Sequence, residues 1–160
     1  MPRHFLIDGY NLAYAWQPVR QKLLSDKEAG RGRLLDLLVK YKKISGAGIT
    51  VVFDSRLKAP APSGERWSGL EVIFAPGSGS ADQEIYRRIS SSKNRGSLTV
   101  VSSDRQVAGF AKRHGAQAMG SGEFSSLVEC SLKKQRDGGE KPESVDVAEW
   151  LKIFGRDGQG

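Results

Sequence analysis

Short β-rich runs alternate along this chain with stretches of helical periodicity, and that alternation restricts the possible folds most severely. Phe5 to Asp8, Ile49 to Asp54, Leu70 to Ala75, Leu98 to Ser102 and Ala116 to Met119 have the length and apolar, β-branched content of buried strands. Strands separated by helices cannot pair as tight hairpins; they lie side by side in parallel, with crossover helices covering both faces. The expectation is an α/β fold of three layers, a central mostly parallel sheet flanked by helices. A chain of 160 residues that is 38% hydrophobic holds one such core and is short for two. We therefore expect a single domain over residues 1–155 and a flexible tail over 156–160.

The helices carry their own start and stop signals. Ser25 and Glu28 form a capping-box pattern, after which Leu34, Leu38, Tyr41 and Ile44 recur at helical spacing until Gly46 and Gly48 end the run. Ser80 and Gln83 repeat the pattern before a helix to Ser91 with Ile85 and Ile89 on one face. A third helix runs from Asp104 to His114, stopped by Gly115, with His114 a solvated last-turn residue. A fourth, Glu123 to Gln135, presents Phe124, Leu127, Val128 and Leu132 on one side and carries Cys130 as a half-buried thiol. Asp137 to Pro142 reads as a polar linker, and Val145, Ala148, Trp150, Leu151 and Phe154 as a final amphipathic element packing back on the domain. One cysteine excludes an internal disulfide and a cysteine zinc site.

Four aspartates stand where strands end or helices begin: Asp8, Asp54, Asp82 and Asp104. In a parallel sheet the carboxyl ends of the strands open on one crevice, so residues distant in sequence converge there. Each aspartate also has a local explanation: Asp82 suits the positive end of a helix dipole, Asp104 with Ser102 and Ser103 suits a helix cap, and Asp8-Gly9 suits a turn. A hard divalent cation explains all the positions together, since Mg2+ or Mn2+ prefers oxygen ligands and acts on phosphates. Asn11, three residues after Asp8, is able to orient that carboxylate or touch substrate.

The surroundings of these acids are basic. There are 25 Lys and Arg against 18 Asp and Glu, a net charge of +7, which favours a polyanionic partner. No apolar run reaches the length of a membrane span, and the first strand begins too early to leave room for a leader, so a cytoplasmic protein with no membrane association is expected.

Ile7-Asp8-Gly9-Tyr10-Asn11, Val51-Val52-Phe53-Asp54, Ser80-Ala81-Asp82-Gln83-Glu84-Ile85, Val101-Ser102-Ser103-Asp104 and Glu149-Trp150-Leu151 with Phe154 resemble, in order and spacing, the NYN domain ribonucleases of the PIN-like nuclease superfamily. The resemblance is closest to the YacP-like family, which includes a ribosome-associated endoribonuclease, and it covers nearly the whole chain. It implies a metal-dependent endoribonuclease in which Asp8, Asp82 and Asp104 bind one or two Mg2+ or Mn2+ ions. Asn11, Asp54 and Ser103 would support them. RNA, in particular mRNA, and the ribosome are the implied partners, with the chain acting as a monomer or weak dimer.

For holding RNA, Arg56, Lys58, Arg66 and Trp67 follow the Asp54 strand, and Tyr10 and Arg105 flank the acids. An aromatic among cations suits an unpaired base. A surface loop explains the first group equally well, and core packing is favoured for at least one of Tyr10, Tyr14 and Trp16. Arg87, Arg88, Lys93 and Arg95 would extend a phosphate track. Two other classes compete: a noncatalytic RNA- or ribosome-binding module, which gains nothing from carboxylates in its groove, and a small-molecule phosphohydrolase, for which the Asp-x-Asp of one large class is missing at Asp8.

Overall fold

The computed structural model describes residues 3–54, 65–67, 69–75 and 81–138, except for the side chains of 65–67 and 137–138. In chain order the elements are β1 (His4–Asp8), α1 (Gly9–Ala15), α2 (Gln17–Ser25), α3 (Lys27–Ser45), β2 (Gly48–Phe53), β3 (Glu65–Trp67), β4 (Leu70–Phe74), α4 (Ala81–Ser91), β5 (Leu98–Val101), α5 (Arg105–Arg113), β6 (Gln117–Met119) and α6 (Ser121–Gly138). A short 3-10 turn, Arg95–Ser97, leads into β5.

The strands form one sheet in the order β3-β4-β2-β1-β5-β6. All neighbours are parallel except β3, which pairs antiparallel with β4 at the edge. The five strands expected from the sequence are present. β3 was not among them, because three residues show no usable alternation.

Alternation along the strands divides the core in two. Phe5 and Ile7 of β1, with Ile49, Val51 and Phe53 of β2, pack with residues of α1, α2, α3 and α6. Leu6, Val52 and Val100 face the other way, onto Ile85 and Ile89 of α4 and Val107 and Ala111 of α5. This is the expected three-layer arrangement. Fully buried side chains such as Leu34 and Leu38 at 0% exposure each contribute about 1.5 to 3 kcal/mol of transfer free energy.

Two helices were absent from the sequence reading. Asp8-Gly9 reads as a turn, yet α1 starts at Gly9 itself. A side chain there would lie 2.5 Å from the Phe53 ring, so only glycine lets the helix begin flush against β2. Trp16, extended at φ −111°, breaks α1 from α2, whose first turn contains Pro18. The cap before α3 also shifts: Ser25 closes α2, with its hydroxyl donating to Lys22 O, and Asp26 accepts from the Glu28 and Ala29 amides. A carboxylate reaches two free N–H groups and complements the dipole, which explains its choice over the neighbouring serine. Gly46 at φ +72° and Gly115 at φ +85° end α3 and α5 as expected.

His114 is half-buried rather than solvated: its ring stacks on Phe110 at 4.0 Å, and Nδ1 lies 2.9 Å from Phe110 O. The last helix extends to Gly138, through the start of the expected linker. The element drawn from Val145 to Phe154 and the tail lie outside the described residues.

Candidate active site at the carboxyl edge of the sheet

β1 has β2 on one side and β5 on the other. The connection leaving β1 runs through the α1–α3 layer, and those around β5 use α4 and α5 on the opposite face. The crevice between the carboxyl ends of β1 and β5 is the switch point of the sheet, where ligands bind in open α/β folds.

Asp8 ends β1 there and is 9% exposed. Burial and then the charge of Asp82 are the main forces raising its pKa, the Ser102 hydroxyl opposes them, and Asp104 raises it further; the result is about 6. The Asn11 backbone N–H is a smaller opposing influence. Asp82 comes from the first turn of α4 and Asp104 from the N-cap of α5, where it accepts from the Gln106 amide at 2.8 Å. Three carboxylates from positions 8, 82 and 104 thus share one electrostatic neighbourhood.

Ser102 couples two of them directly. Its hydroxyl donates to Asp8 Oδ2 at 3.2 Å and accepts the Asp104 amide at 3.1 Å. Asn11 occupies the next layer. Its Oδ1 accepts from the Ser103 amide at 2.8 Å and from the Ser121 hydroxyl at 2.6 Å, and Ser103 Oγ accepts the Ser121 amide at 3.1 Å. With Oδ1 committed to two donors, the Asn11 amide orientation is set.

The donor set consists of carboxylate oxygens drawn together at a cost in like-charge repulsion, which a hard divalent cation would relieve. The residues therefore fit Mg2+ or Mn2+. Among the described residues, no three His, Cys, Asp or Glu side chains form a ready-made metal cage. The aspartates form an open cluster, in which waters or phosphate oxygens would complete the coordination.

Asp54 follows β2 at the same edge and is half-buried. Arg105 is exposed beside Asp104. Tyr10 departs from its expected place on RNA: it is 8% exposed, its ring packs 5.0 Å from Phe53 under Lys27, and its hydroxyl accepts from Arg31. Neither ring face is free for a base. Arg66 and Trp67 lie in β3 opposite Glu71 and Leu70, at the amino end of β4, so their backbone does not border the crevice. The antiparallel return of β3 carries them away from Asp54. Arg56 and Lys58 lie outside the described residues.

Arg87 and Arg88 do not form a phosphate track beside the acids. Arg87 pairs with Glu84, and Arg88 bridges Glu84 and Glu71 toward the amino end of the sheet. Arg95 donates to Ser90 O.

Two residues at the site escaped the sequence reading. Ser121 is 0% exposed and ties α6 to Asn11 and Ser103. Its signal was present, because it follows the carboxyl end of β6 as the aspartates follow theirs. Tyr86 lies one helical turn beyond Asp82 on α4. Burial raises its phenol pKa first, followed by the charges of Asp82 and Asp104.

Comparisons with known proteins agree with this architecture. The profile of the YacP-like NYN domain matches residues 5–151. "Uncharacterized protein YacP" of Bacillus subtilis (strain 168) is 29% identical over 82 residues, 51% of this chain and 48% of that protein. The matched part spans about half the length of this curated relative. The crystal structure of Rae1 (YacP) from Bacillus subtilis superposes with a TM-score of 0.66 at 26% identity, covering 100% of this chain and 96% of the other. Its W164L mutant superposes at 0.65 with 24% identity, covering 98% of this chain and 96% of the other, a likeness of fold.

Proposed function

From the chain's membership of the YacP-like NYN domain family, within the PIN-like nuclease superfamily, we propose that it is a divalent-metal-dependent endoribonuclease. The observation that carries this reading is the convergence of Asp8, Asp82 and Asp104 at the switch point of a basic α/β domain. Phosphodiester hydrolysis at neutral pH is helped by a positive centre beside the scissile phosphate, and three neighbouring carboxylates would attract one.

Asp8, Asp82 and Asp104 would hold the ion, which when bound supplies charge stabilisation at the phosphate and an acidified water. Ser102 fixes the Asp8 carboxylate relative to the start of α5, and Asn11, held by Ser103 and Ser121, orients the floor of the crevice. Arg105, exposed beside Asp104, would take a phosphate next to the cleaved one. Asp54 supports the outer rim.

The test is cleavage of a mixed RNA pool, with and without ribosomes, in Mg2+, Mn2+ or chelator, by wild type and Asp82→Asn. We expect metal-dependent internal cuts that the variant loses. Faster cutting of mRNA on ribosomes would add the ribosome as partner. Cleavage that survives both chelator and Asp82→Asn would end the metal mechanism, whereas binding without turnover would mark a noncatalytic RNA module.

A further inference from the structure

Tyr86, Phe110 and His114 form a ladder of rings across α4 and α5 that the hydrolytic cluster does not use. Tyr86 and Phe110 lie 4.4 Å apart, tilted by 31°, and Phe110 and His114 lie 4.0 Å apart, stacked within 14°. All three are half-buried, so the ladder borders solvent. Its upper rung sits four residues after Asp82, on the same face of α4, where the charges of Asp82, Asp104 and Asp8 all reach its phenol. The ladder therefore begins at the acidic crevice and leads away from it along α5.

Exposed cations share α5 with the ladder. Arg105 opens α5 beside Asp104, Lys112 and Arg113 close it, and all three are exposed. The charge of Arg113 also reaches Tyr86. Cations beside stackable rings suit a chain of phosphates and unpaired bases, because every base has a π face whatever its sequence. Phe110 backs Tyr86, and the His114 ring is pinned near Phe110 O, so the upper ring is set before ligand arrives and little entropy is lost on stacking.

We infer that Tyr86, backed by Phe110 and His114, is a stacking platform for an unpaired RNA base next to the scissile phosphate, with Arg105 and Arg113 on the flanking phosphates. The preferred substrate is then single-stranded at the cut, with little sequence readout on this side. The inference rests on the nuclease reading for the word "scissile", but base stacking is testable without cleavage.

The experiment measures binding of a labelled single-stranded RNA to wild type, Tyr86→Phe and Tyr86→Leu in chelator, by fluorescence anisotropy. The same RNA annealed to its complement and an RNA with abasic positions are measured beside it. Leucine keeps an apolar side chain against Phe110 without a π face, and a thermal melt checks that the fold is intact. Tyr86→Phe should bind as wild type, and Tyr86→Leu about 5- to 150-fold more weakly, the fold-change that corresponds to one lost base stack. Duplex and abasic RNA should bind weakly to all three proteins. In Mg2+, Tyr86→Leu should raise KM while leaving kcat near wild type. Equal binding by Tyr86→Leu and wild type, or equal affinity for single-stranded and duplex RNA, would reduce the ladder to α4–α5 packing. Tyr86-dependent binding without any cleavage would sink the nuclease reading and leave the platform standing.

Discussion

The two ends of the sheet treat buried charge in opposite ways. At the amino end, His4 Nε2 lies 2.7 Å from Thr50 Oγ1, and the Thr50 hydroxyl donates to Glu71. Arg88 donates to both Glu71 and Glu84, and Arg87 adds two bonds to Glu84, which is 5% exposed. Every acid in that chain has a guanidinium. At the carboxyl end, Asp8 is nearly as buried, but hydroxyls and amides are its partners and two further aspartates face it. One end is satisfied by the protein, which suits a structural clamp holding α4 on the sheet. The other brings three carboxylates together so that each raises the cost of the next, which is where the proposed cation would act.

Substitutions that separate function from stability probe this contrast most sharply. Asp82→Asn should lower the RNA-cleavage rate by about a hundredfold or more in saturating Mg2+, with the fold intact by circular dichroism. Activity near wild type would put the catalytic end elsewhere.

The next effect is on stability and has the reverse sign from an ordinary buried polar mutation. The Asp8 carboxyl titrates near 6 in the folded protein against 3.8 as a reference. The folded state therefore binds more protons between those values, and the stabilising contribution, full below pH 3.8, is lost as pH rises through about 6. In chelator at pH 7, Asp8→Asn should stabilise the protein by up to about 3 kcal/mol in urea unfolding, and the gain should fade toward pH 4. A destabilised variant at pH 7 would mean that Asp8 has a cationic partner of its own.

Removing a partner at the amino end should do the opposite. Arg88→Met leaves Glu71 without its guanidinium and Glu84 with one, and should cost about 1 to 3 kcal/mol in urea unfolding. Its kcat should change little unless α4 shifts Asp82. His4 gives this end its own acid sensitivity. Burial is the main cause of its lowered pKa, with Glu71 opposing and Arg88 and Lys42 assisting. Its contribution is present above pH 6.5 and is lost as pH falls through the folded value. Acidification thus weakens the clamp over the range in which it relieves Asp8.

The smallest change expected is from Ser121→Ala. It removes one of two donors to Asn11 Oδ1 and should slow cleavage by about tenfold, with stability falling by about 1 kcal/mol. Unaltered kinetics would assign the Asn11–Ser121 bond to packing alone.

Five of the strands, the end of α3 and the bounds of α5 were legible because their signals are local. Val51-Val52-Phe53 has the composition of a strand wherever it packs, and Gly115 ends a helix because only a residue without a side chain takes φ +85° at little cost. That Asp8, Asp82 and Asp104 meet at one edge was legible for a related reason. Residues after parallel strands face the same edge, so position in the alternation is nearly position in space. Tyr10 shows where that logic stopped. It stands two residues from Asp8, as an aromatic for RNA would, yet Phe53 and Arg31 enclose it.

Local pattern was enough for a basic α/β domain with aspartates along one edge, since helical and strand periods are written within a few residues and net charge needs no geometry. It was not enough for the partners each charge would find. Arg88 reads as a surface cation until the sheet places Glu71 beside it, and Ser121 meets Asn11 across 110 residues of chain. Strand order and helix facing emerge from packing the whole chain at once. They set one end of the sheet as a closed network of ion pairs and the other as an open acidic crevice.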